Sequence, residues 1–315
     1  MTGRAIVVTG AGGFLGGHLL PVLAAGGARI SALCKDSAEL PGVQPLVRNA
    51  VAGDILDAGL LESQMAGADT VIHLAGPPFV AESFRQPLEY ARVHVLGTVA
   101  VAEACLRLGV RRLVYVSSAE VYGRGGPQPV REDQPPSPRS PYGAAKLSAE
   151  RFIATLLAQR AASAVVLRPF SVYGPGAPAA ALVPTIVGQA LAAPQIELAN
   201  LLPVRDYCYV GDLAQAIVRA TEADVNGIHT VNIGSGQGIS VRALAEQVLK
   251  VIGRDVPIVH KTCGDRPAEA DVDCLVAAVG QAHALLSWRA ETTLASGLAR
   301  VVEQRRTEMK RGEER

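Results

Sequence analysis

The sequence contains few cysteines, and their spacing excludes the sites that cysteines usually build. The five are odd in number, lie far apart and form no C-x-x-C pair; they are Cys34, Cys105, Cys208, Cys263 and Cys274. A disulfide framework needs an even set of cysteines, and a zinc ribbon needs C-x-x-C pairs. The pattern therefore favours a protein of the reducing cytoplasm.

Long hydrophobic runs and an excess of one charge are also lacking. No apolar run reaches the roughly 18 residues that a membrane-spanning helix needs, and the first residues show no signal-peptide order. The net charge is +1 over 315 residues, so neither nucleic acid nor an anionic membrane is expected as a partner. The six histidines show no H-x-H or H-E-x-x-H spacing, so no metal site is predicted. We expect a soluble cytoplasmic protein.

Short β-branched segments alternate with longer segments of helical periodicity in the first half of the chain. The predicted strands are 5–9, 30–33, 70–75, 112–117 and 164–169, and the predicted helices are 14–25, 57–66, 84–108 and 143–160. Alternating strands and helices imply parallel strands joined by right-handed crossovers. The pattern predicts an α/β fold with a doubly wound parallel sheet that is covered on both faces.

A glycine-rich turn follows the first predicted strand and opens the first predicted helix. The stretch "VVTGAGGFLGGHLL" places Gly10, Gly13 and Gly16 there. Such glycines allow a tight turn, close approach of the backbone to a pyrophosphate and close helix packing, with the helix N-terminus facing the anion. In this context they predict a Rossmann-type dinucleotide site rather than an ordinary βα turn. Asp54, in "GDILD", is expected to follow a further strand between the predicted strands 30–33 and 70–75. It suits either contact with the adenine amino group or a simple turn.

The composition changes after Pro169, where "SVYGPGAPAAALVP" is rich in glycine and proline. We predict a dinucleotide-binding domain over residues 1–170 and a smaller, mostly substrate-binding region over residues 171–315. Within the second region, the segment 205–235 is expected to return to the main sheet, because "IHTVNIGSG" again has the pattern of a buried strand.

Three residues form a candidate catalytic set. The stretch "SPYGAAK" places Tyr142 and Lys146 four residues apart, and therefore on one face of a helix. A phenol is a poor acid or base at neutral pH, but a neighbouring ammonium group and the positive nicotinamide ring lower its pKa. Ser118, at the end of a strand in "YVSSAEVYG", can hydrogen-bond the reacting hydroxyl or carbonyl while Tyr142 exchanges its proton.

With these motifs the chain resembles the extended short-chain dehydrogenase/reductases, the NAD-dependent epimerase/dehydratase group that acts on nucleotide sugars. The resemblance covers nearly the whole length and includes "TGAGGFLG", "VIHLAG", "VYVSSAEVYG", "YGAAK", "RPFSVYGPG" and "RDYCYVGDLA". It implies that Ser118, Tyr142 and Lys146 are catalytic, and that Lys146 also binds the nicotinamide ribose. The cofactor contacts that it implies are Gly10, Gly13, Phe14, Leu15, Gly16, Asp54, Ile55, Leu74 and Ala75.

The resemblance also implies a homodimer. In this family two long helices of each subunit commonly form a four-helix interface, and the predicted helices 84–108 and 143–160 are long and partly apolar.

The segment after Ser118 departs from the dehydratase pattern. Dehydratases carry an Asp-Glu pair there, whereas this chain has Ala119 and Glu120. Because the acid that would protonate a leaving hydroxyl is absent, 4,6-dehydratase chemistry is not expected. Glu120 is either a catalytic base or a polar residue that packs against the loop or a substrate hydroxyl.

The expected substrate contacts depart from the family as well. Ser171 stands where the family often has an asparagine that bonds the substrate, and Thr262 stands where an arginine usually meets the diphosphate. Arg266 or Lys261 can substitute for that arginine, and Arg205 remains as a phosphate ligand. A nucleotide diphosphate is the expected substrate handle, with a different acid or an aromatic ketone as the alternative.

The end of the second strand, "SALCKDS", bears on cofactor choice. Cys34 lies where NAD-binding members place an aspartate on the adenosine ribose, and Lys35 follows it. A neutral thiol and a lysine can accept a 2′-phosphate that a carboxylate would repel; alternatively, Asp36 is the ribose acid. The stretch favours NADP(H), with NAD(H) as the alternative.

The cofactor prediction leads to the predicted reaction. It favours an NADPH-dependent ketoreductase acting on C4 of a nucleotide-linked 4-keto sugar. The alternative is a redox-neutral 4-epimerase or decarboxylase with tightly bound NAD. A binding protein without catalysis is a third hypothesis, which the intact serine, tyrosine and lysine disfavour.

Overall fold

The computed structural model describes residues 1–124, 126, 128–158, 162–261 and 272–313. Within these ranges the strands are β1 (Ala5–Thr9), β2 (Arg29–Cys34), β3 (Asn49–Ala52), β4 (Thr70–His73), β5 (Arg112–Val116), β6 (Ser163–Pro169), β7 (Ser171–Tyr173), β8 (Ile196–Leu198), β9 (Val204–Tyr209), β10 (Ile228–Ile233), β11 (Gly238–Ser240), β12 (Ile258–His260) and β13 (Cys274–Leu275). The helices are α1 (Phe14–Ala25), α2 (Leu40–Val43), α3 (Ala58–Met65), α4 (Val80–Arg85), α5 (Pro87–Ala91), α6 (Thr98–Leu108), α7 (Pro141–Leu157), α8 (Leu182–Ala192), α9 (Val210–Glu222), α10 (Val241–Ile252), α11 (Gly280–Leu286) and α12 (Leu294–Glu313).

The central sheet has seven strands in the order β10-β6-β5-β4-β1-β2-β3, and every neighbouring pair is parallel. The strand order reverses between β1 and β4, and such a switch point opens a crevice at the carboxyl ends of the strands. The predicted doubly wound, Rossmann-type α/β fold is therefore confirmed.

Each face of the central sheet is covered by helices, as the alternation along β1 illustrates. Ile6 and Val8 point to one face and pack in a cluster with buried residues of α1 and α9. Val7 points to the other face and packs with residues of α3, α6 and α7. Burial of apolar side chains on both faces is the main stabilising contribution to such a sheet.

The segment predicted as one helix over residues 84–108 contains parts of four elements. α4 ends at Arg85, α5 begins at Pro87, and a π-helical segment, Arg92–Gly97, leads into α6. Proline has no N–H and disfavours helical geometry in the residue before it, and Gln86 accordingly has φ −129° and ψ 52°. The other predicted helices of the first half, 14–25, 57–66 and 143–160, correspond to α1, α3 and α7.

A smaller region is built around β9, which pairs with β7, β11 and β13. α8, α10 and α12 contribute to its core, and β8 pairs with β12 beside it. The segment 205–235 is shared between the two parts of the molecule. β9 belongs to the smaller sheet, α9 packs on α1, and β10 forms an edge of the central sheet.

In the part of the chain that the structure describes, no helix has the length and apolar character needed to cross a membrane. Likewise, no group of three or more His, Cys, Asp or Glu side chains in these ranges is arranged to hold a metal ion.

Candidate active site

The glycine-rich turn between β1 and α1 packs so closely against neighbouring backbone that side chains at Gly10 and Gly16 would collide with it. Gly10 has φ +69°, and a Cβ atom added there would lie 2.7 Å from the Cα atom of Ala75 in the loop after β4. A Cβ atom on Gly16 would collide with the carbonyl oxygen of Ala11. Gly13 is the N-cap of α1 and makes no side-chain cap bond, so the first N–H groups of this helix are available to an anion. These residues fit a dinucleotide pyrophosphate.

The predicted contacts beside this turn lie around the switch point. Phe14 and Leu15 form the first two positions of α1. The N–H of Leu74 donates to the carbonyl oxygen of Thr9 at 3.0 Å, which joins the end of β4 to the end of β1. Ile55 is buried and lies against Gly97 of the π-helical segment. Leu74, Ala75 and Ile55 thus border the crevice, and their contact with a cofactor stays a prediction.

The structure places Cys34 differently from the sequence-based prediction. Its side chain is 1% exposed and packs in the core cluster beneath α1. Burial, together with the negative charge of Glu39, raises the pKa of the thiol. The last side chain of β2 points into the core, and so Cys34 cannot accept a 2′-phosphate. Lys35 is exposed.

Asp54 has partners within the chain for both carboxylate oxygens. One oxygen accepts a hydrogen bond from the N–H of Leu56 at 3.0 Å, and the other pairs with the guanidinium of Arg92. These contacts lower the pKa of Asp54. They correspond to the turn interpretation, while the adenine contact stays a prediction.

The structure brings Ser118, Tyr142 and Lys146 together. Ser118 follows β5 and is the N-cap of a short 3-10 helix, Ala119–Tyr122. Tyr142 and Lys146 lie on α7, which begins at Pro141 and is capped by Ser140. The Nζ atom of Lys146 donates to the carbonyl oxygen of Val116 at 2.8 Å and lies 6.0 Å from the ring centre of Tyr142. This bond ties the helix to the end of β5.

Burial affects the protonation of both Lys146 and Tyr142. Burial lowers the pKa of Lys146 to about 7, and the carboxylate of Glu150 opposes this shift. Burial raises the pKa of Tyr142, and a hydrogen bond with Ser118 opposes it. Both shifts have the same physical cause, because each group loses the water that would solvate its charged form. The phenol is therefore protonated in the chain alone, and an added positive charge nearby would favour the phenolate.

Similarity to known proteins agrees with this geometry. The model of the NAD dependent epimerase/dehydratase family matches residues 6–234. The chain belongs to this family. It is 33% identical to the UDP-glucose 4-epimerase of Azospirillum brasilense, over 94% of this chain and 90% of that protein. It is 32% identical to the UDP-glucose 4-epimerase of Bacillus subtilis (strain 168), over 92% of this chain and 93% of that protein.

Solved structures of this family have the same fold over almost their whole length. MoeE5 in complex with UDP-glucuronic acid and NAD is 31% identical, with a TM-score of 0.88 over 96% of this chain and 99% of that chain. A UDP-N-acetylglucosamine 4-epimerase from Methanobrevibacter ruminantium M1 is 26% identical, with a TM-score of 0.87 over 98% of this chain and 100% of that chain. The protein is thus a nucleotide-sugar-modifying enzyme of this family, with a nicotinamide dinucleotide as cofactor.

Glu120 lies beside the candidate catalytic residues, and among the described residues its backbone contacts Ser118. Its N–H donates to the Ser118 hydroxyl oxygen at 3.2 Å. Its carboxylate is close enough to contribute to the raised pKa of Tyr142. Because a negative charge here opposes the phenolate, the polar interpretation of Glu120 is better supported by the electrostatics than a role as base.

Two of the predicted substrate residues, Ser171 and Arg205, lie on the smaller sheet. Ser171 begins β7 and pairs with Tyr207 of β9, two positions after Arg205 on the same strand. The Nη1 atom of Arg205 donates to the carbonyl oxygen of Val204 at 3.0 Å. Lys261 is the last residue of the described range 162–261. Its N–H donates to the carbonyl oxygen of Leu198. Thr262 and Arg266 lie outside the described residues.

A buried polar network behind α7 was not predicted. Arg168 of β6 donates to Glu150 and to the hydroxyl of Tyr122, which in turn donates to Asn232 at 2.7 Å. Ser117 also donates to Glu150. Glu150 is four residues after Lys146 and so on the same helix face; this spacing was the signal available in the sequence.

Two histidines beside the catalytic set were also missed. Nδ1 and Nε2 of His73 lie 2.7 Å and 3.0 Å from the hydroxyl oxygens of Thr9 and Thr98, joining β4 to β1 and α6. The ring of His94 lies 5.4 Å from that of Tyr142, edge to face. Burial and the charge of Lys146 lower the pKa of both imidazoles, so both are neutral packing groups at neutral pH.

Proposed function

We propose that the protein is a UDP-hexose 4-epimerase that works with bound NAD. The observation that carries this proposal is its similarity, over nine-tenths of the chain, to UDP-glucose 4-epimerases. It replaces the ketoreductase that the sequence stretch around Cys34 favoured and adopts the redox-neutral alternative. Ala119, which stands where dehydratases carry an acid, is consistent with a reaction that expels no hydroxyl group.

The chemistry that we propose uses the three residues at the end of β5 and the start of α7. The bound cofactor supplies a reversible hydride acceptor at C4 of the sugar. Tyr142 takes the proton from the C4 hydroxyl and later returns it, and Ser118 hydrogen-bonds the same oxygen. Lys146 holds positive charge beside the phenol, which favours the phenolate. Return of the hydride to the opposite face of the 4-keto sugar inverts C4, and no reductant is consumed.

The proposal for NAD rather than NADPH has two supports. The structurally similar MoeE5 was solved with NAD, and a redox-neutral enzyme has no need of a reducing pool. The sequence-based preference for NADP(H) depended on Cys34, and that side chain is buried in the core.

Purified protein given UDP-glucose without added cofactor tests this function. We expect the same mixture of UDP-glucose and UDP-galactose from either starting sugar, measured by chromatography, and NAD in the supernatant after heat denaturation. UDP-glucuronic acid, the ligand named for MoeE5, belongs in the same assay as a second sugar. Absence of any interconversion at C4, together with NADPH consumption on a UDP-4-keto sugar, would contradict the proposal.

We also propose that the enzyme is a homodimer. Among the described residues, three of the four exposed large hydrophobic side chains, Leu88, Leu96 and Phe152, lie on α5, the π-helical segment and α7. These elements pack on one another and form a continuous surface, which we call the α5–α7 face. A second copy of the chain would remove these side chains from water.

A cytoplasmic location is proposed as well. The four cysteines within the described ranges, Cys34, Cys105, Cys208 and Cys274, are unpaired, which suits a reducing compartment.

A further inference from the structure

The end of β2 offers no acidic side chain of its own to a cofactor. Cys34, its last residue, is buried, and the exposed residues that follow are Lys35 and Asp36. In dinucleotide-binding sheets an acidic residue about 20 positions after the glycine-rich turn binds the adenosine ribose hydroxyls. The group can therefore come only from the loop that follows β2, which carries Asp36 and Glu39.

The carboxylate of Glu39, in the turn that follows β2, lies beside the end of this strand. The 3-10 helix Ser37–Glu39 folds the backbone back, and Oε2 of Glu39 accepts a hydrogen bond from the N–H of Lys35 at 3.2 Å. A Cβ atom added to Gly12 would collide with the carboxylate of Glu39. Glu39 therefore lies directly over Gly12 in the glycine-rich turn, and a larger residue at position 12 would displace it.

The turn and the end of β2 are adjacent, so this carboxylate stands between them. The N–H groups of Gly10 and Ala11 donate to the carbonyl oxygen of Leu33 at 2.8 Å and 3.2 Å. The crevice beside these strand ends receives the adenosine half of a dinucleotide in this class of fold. The carboxylate is also near enough to Cys34 for its charge to act on the thiol.

Two cations near this turn, Lys35 and Arg92, act on the carboxylate of Asp54. Lys35 contributes to the lowered pKa of Asp54, so its ammonium group acts on another carboxylate. Arg92 also pairs with Asp54. A 2′-phosphate, with a charge near −1.5 to −2, would meet the carboxylate of Glu39 at short range, whereas ribose hydroxyls could donate to it.

We propose that Glu39 is the residue that selects NAD over NADP, by accepting hydrogen bonds from the adenosine ribose and repelling a 2′-phosphate. This inference deepens the proposed function, since it rests on a bound nicotinamide dinucleotide, and it assigns cofactor choice to a residue five positions beyond the usual one. The absence of a side chain at Gly12 then leaves space for the side chain of Glu39.

The affinities of nucleotide-free protein for NAD⁺ and NADP⁺ test this inference without any measurement of turnover. Calorimetric titrations with NAD⁺ and NADP⁺ give the ratio of the two dissociation constants for the wild type and for Glu39→Gln, which keeps the shape and removes the charge. A hydrogen bond to a charged group changes affinity by about 10- to 100-fold. We expect the wild type to prefer NAD⁺ and Glu39→Gln to reduce that preference at least about tenfold. Asp36→Asn, with the same loss of charge three residues earlier, should leave the ratio unchanged.

An unchanged ratio in Glu39→Gln, or a lost preference in Asp36→Asn, would overturn the assignment. If Glu39→Gln fails to fold, the wild type still decides through ADP-ribose and its 2′-phosphorylated form, which lack the nicotinamide. Equal affinity for these two would also overturn the inference. Failure of the proposed epimerase reaction would leave these binding ratios intact, so the two failures are distinguishable.

Discussion

At the scale of single residues, the active site is governed by the loss of water around two ionisable groups. Burial lowers the pKa of Lys146 to about 7 and raises that of Tyr142. It therefore disfavours both the ammonium form of Lys146 and the phenolate form of Tyr142, which proton transfer requires. A positively charged ring bound beside them would shift that balance toward the phenolate. Deprotonation of Tyr142 is therefore expected to be easier with the oxidised cofactor bound than in the chain alone.

Removal of the Tyr142 hydroxyl should abolish most of the turnover. Tyr142→Phe deletes the proton-transferring group, for which losses of about 10²- to 10⁴-fold are typical, so kcat should fall in that range while substrate binding remains. Tyr90→Phe is the matched control, because its ring lies 6.1 Å from that of Tyr142 but its hydroxyl only donates to the carbonyl oxygen of Phe79. Equal losses in the two variants would contradict the assignment.

Acid should destabilise the protein through His73. Burial lowers its folded pKa from 6.5 to about 3, so the unfolded state binds more protons between these values and stability falls as the pH falls through this window. By pH 4.5 this one group should cost about 3 kcal/mol. Urea unfolding of His73→Gln should show a weaker pH dependence from 6.5 to 4.5, whereas the exposed His283→Gln should behave like the wild type. Identical slopes for all three would be evidence against this explanation.

The proximity of Ser118, Tyr142 and Lys146 could be predicted from the sequence, because it depends on local spacing. Tyr142 and Lys146 share a helix face at i and i+4, and Ser118 ends a strand that the β-branched pattern marks clearly. His73, Glu39 and Arg168 could not be assigned in this way. Their partners, Thr98, Gly12 and Tyr122 among them, are brought close only by tertiary packing.

At the scale of elements, α7 carries Tyr142 and Lys146, and its first turn sets the position of the phenol. Ser140 caps this helix by accepting a hydrogen bond from the N–H of Gly143 at 3.1 Å. Ser240 caps α10 in the same way, with the N–H of Ala243 at 3.2 Å. The two caps are chemically alike, but only the first lies two residues from Tyr142.

Removal of each cap should separate stability from catalysis. Ser140→Ala and Ser240→Ala should each lower the free energy of unfolding by about 1 kcal/mol. Only Ser140→Ala should also reduce kcat, by roughly tenfold, because small displacements of a reacting group slow the reaction strongly. Chemical denaturation and steady-state kinetics of both variants provide the check. A similar loss of kcat in Ser240→Ala would show that general destabilisation, and not positioning, is responsible.

Most elements of the first half could be predicted, because their periodicity is local. The exceptions have physical reasons. Pro87 interrupts the predicted helix 84–108, and the π-helical segment that follows places His94 and Gly97 against the crevice. In the smaller region the strands β7, β8, β11, β12 and β13 have only two or three residues each, which is too short for a period of two to be recognised.

At the scale of the whole molecule, the α5–α7 face should hold two chains together. Light scattering at micromolar concentration should give twice the mass of one chain for the wild type. The double variant Leu96→Glu, Phe152→Glu places two charges in the interface and should give the monomer mass. Leu202→Glu is the control, since Leu202 is even more exposed than Leu96 and Phe152 but lies elsewhere in the chain. A monomeric wild type, or dissociation by Leu202→Glu, would contradict the homodimer.

For cofactor choice, the sequence pattern and the folded chain point to different residues. The stretch "SALCKDS" favoured NADP(H), because Cys34 stands in the position of the usual acid. In the folded chain that side chain faces the core, and the carboxylate of Glu39 occupies the neighbouring surface. Which side chain reaches the crevice depends on how the 3-10 helix folds back, and no linear spacing rule contains that information.

The central claim is that the enzyme removes a hydride from C4 and returns it to the same molecule, and an isotope label tests this most directly. UDP-glucose deuterated at C4 is incubated with the protein and an excess of unlabelled NADPH, and the products are examined by NMR and mass spectrometry. For a redox-neutral epimerase we expect UDP-galactose that keeps its deuterium at C4, with the NADPH concentration unchanged. Loss of the deuterium from the sugar, or stoichiometric consumption of NADPH, would contradict it.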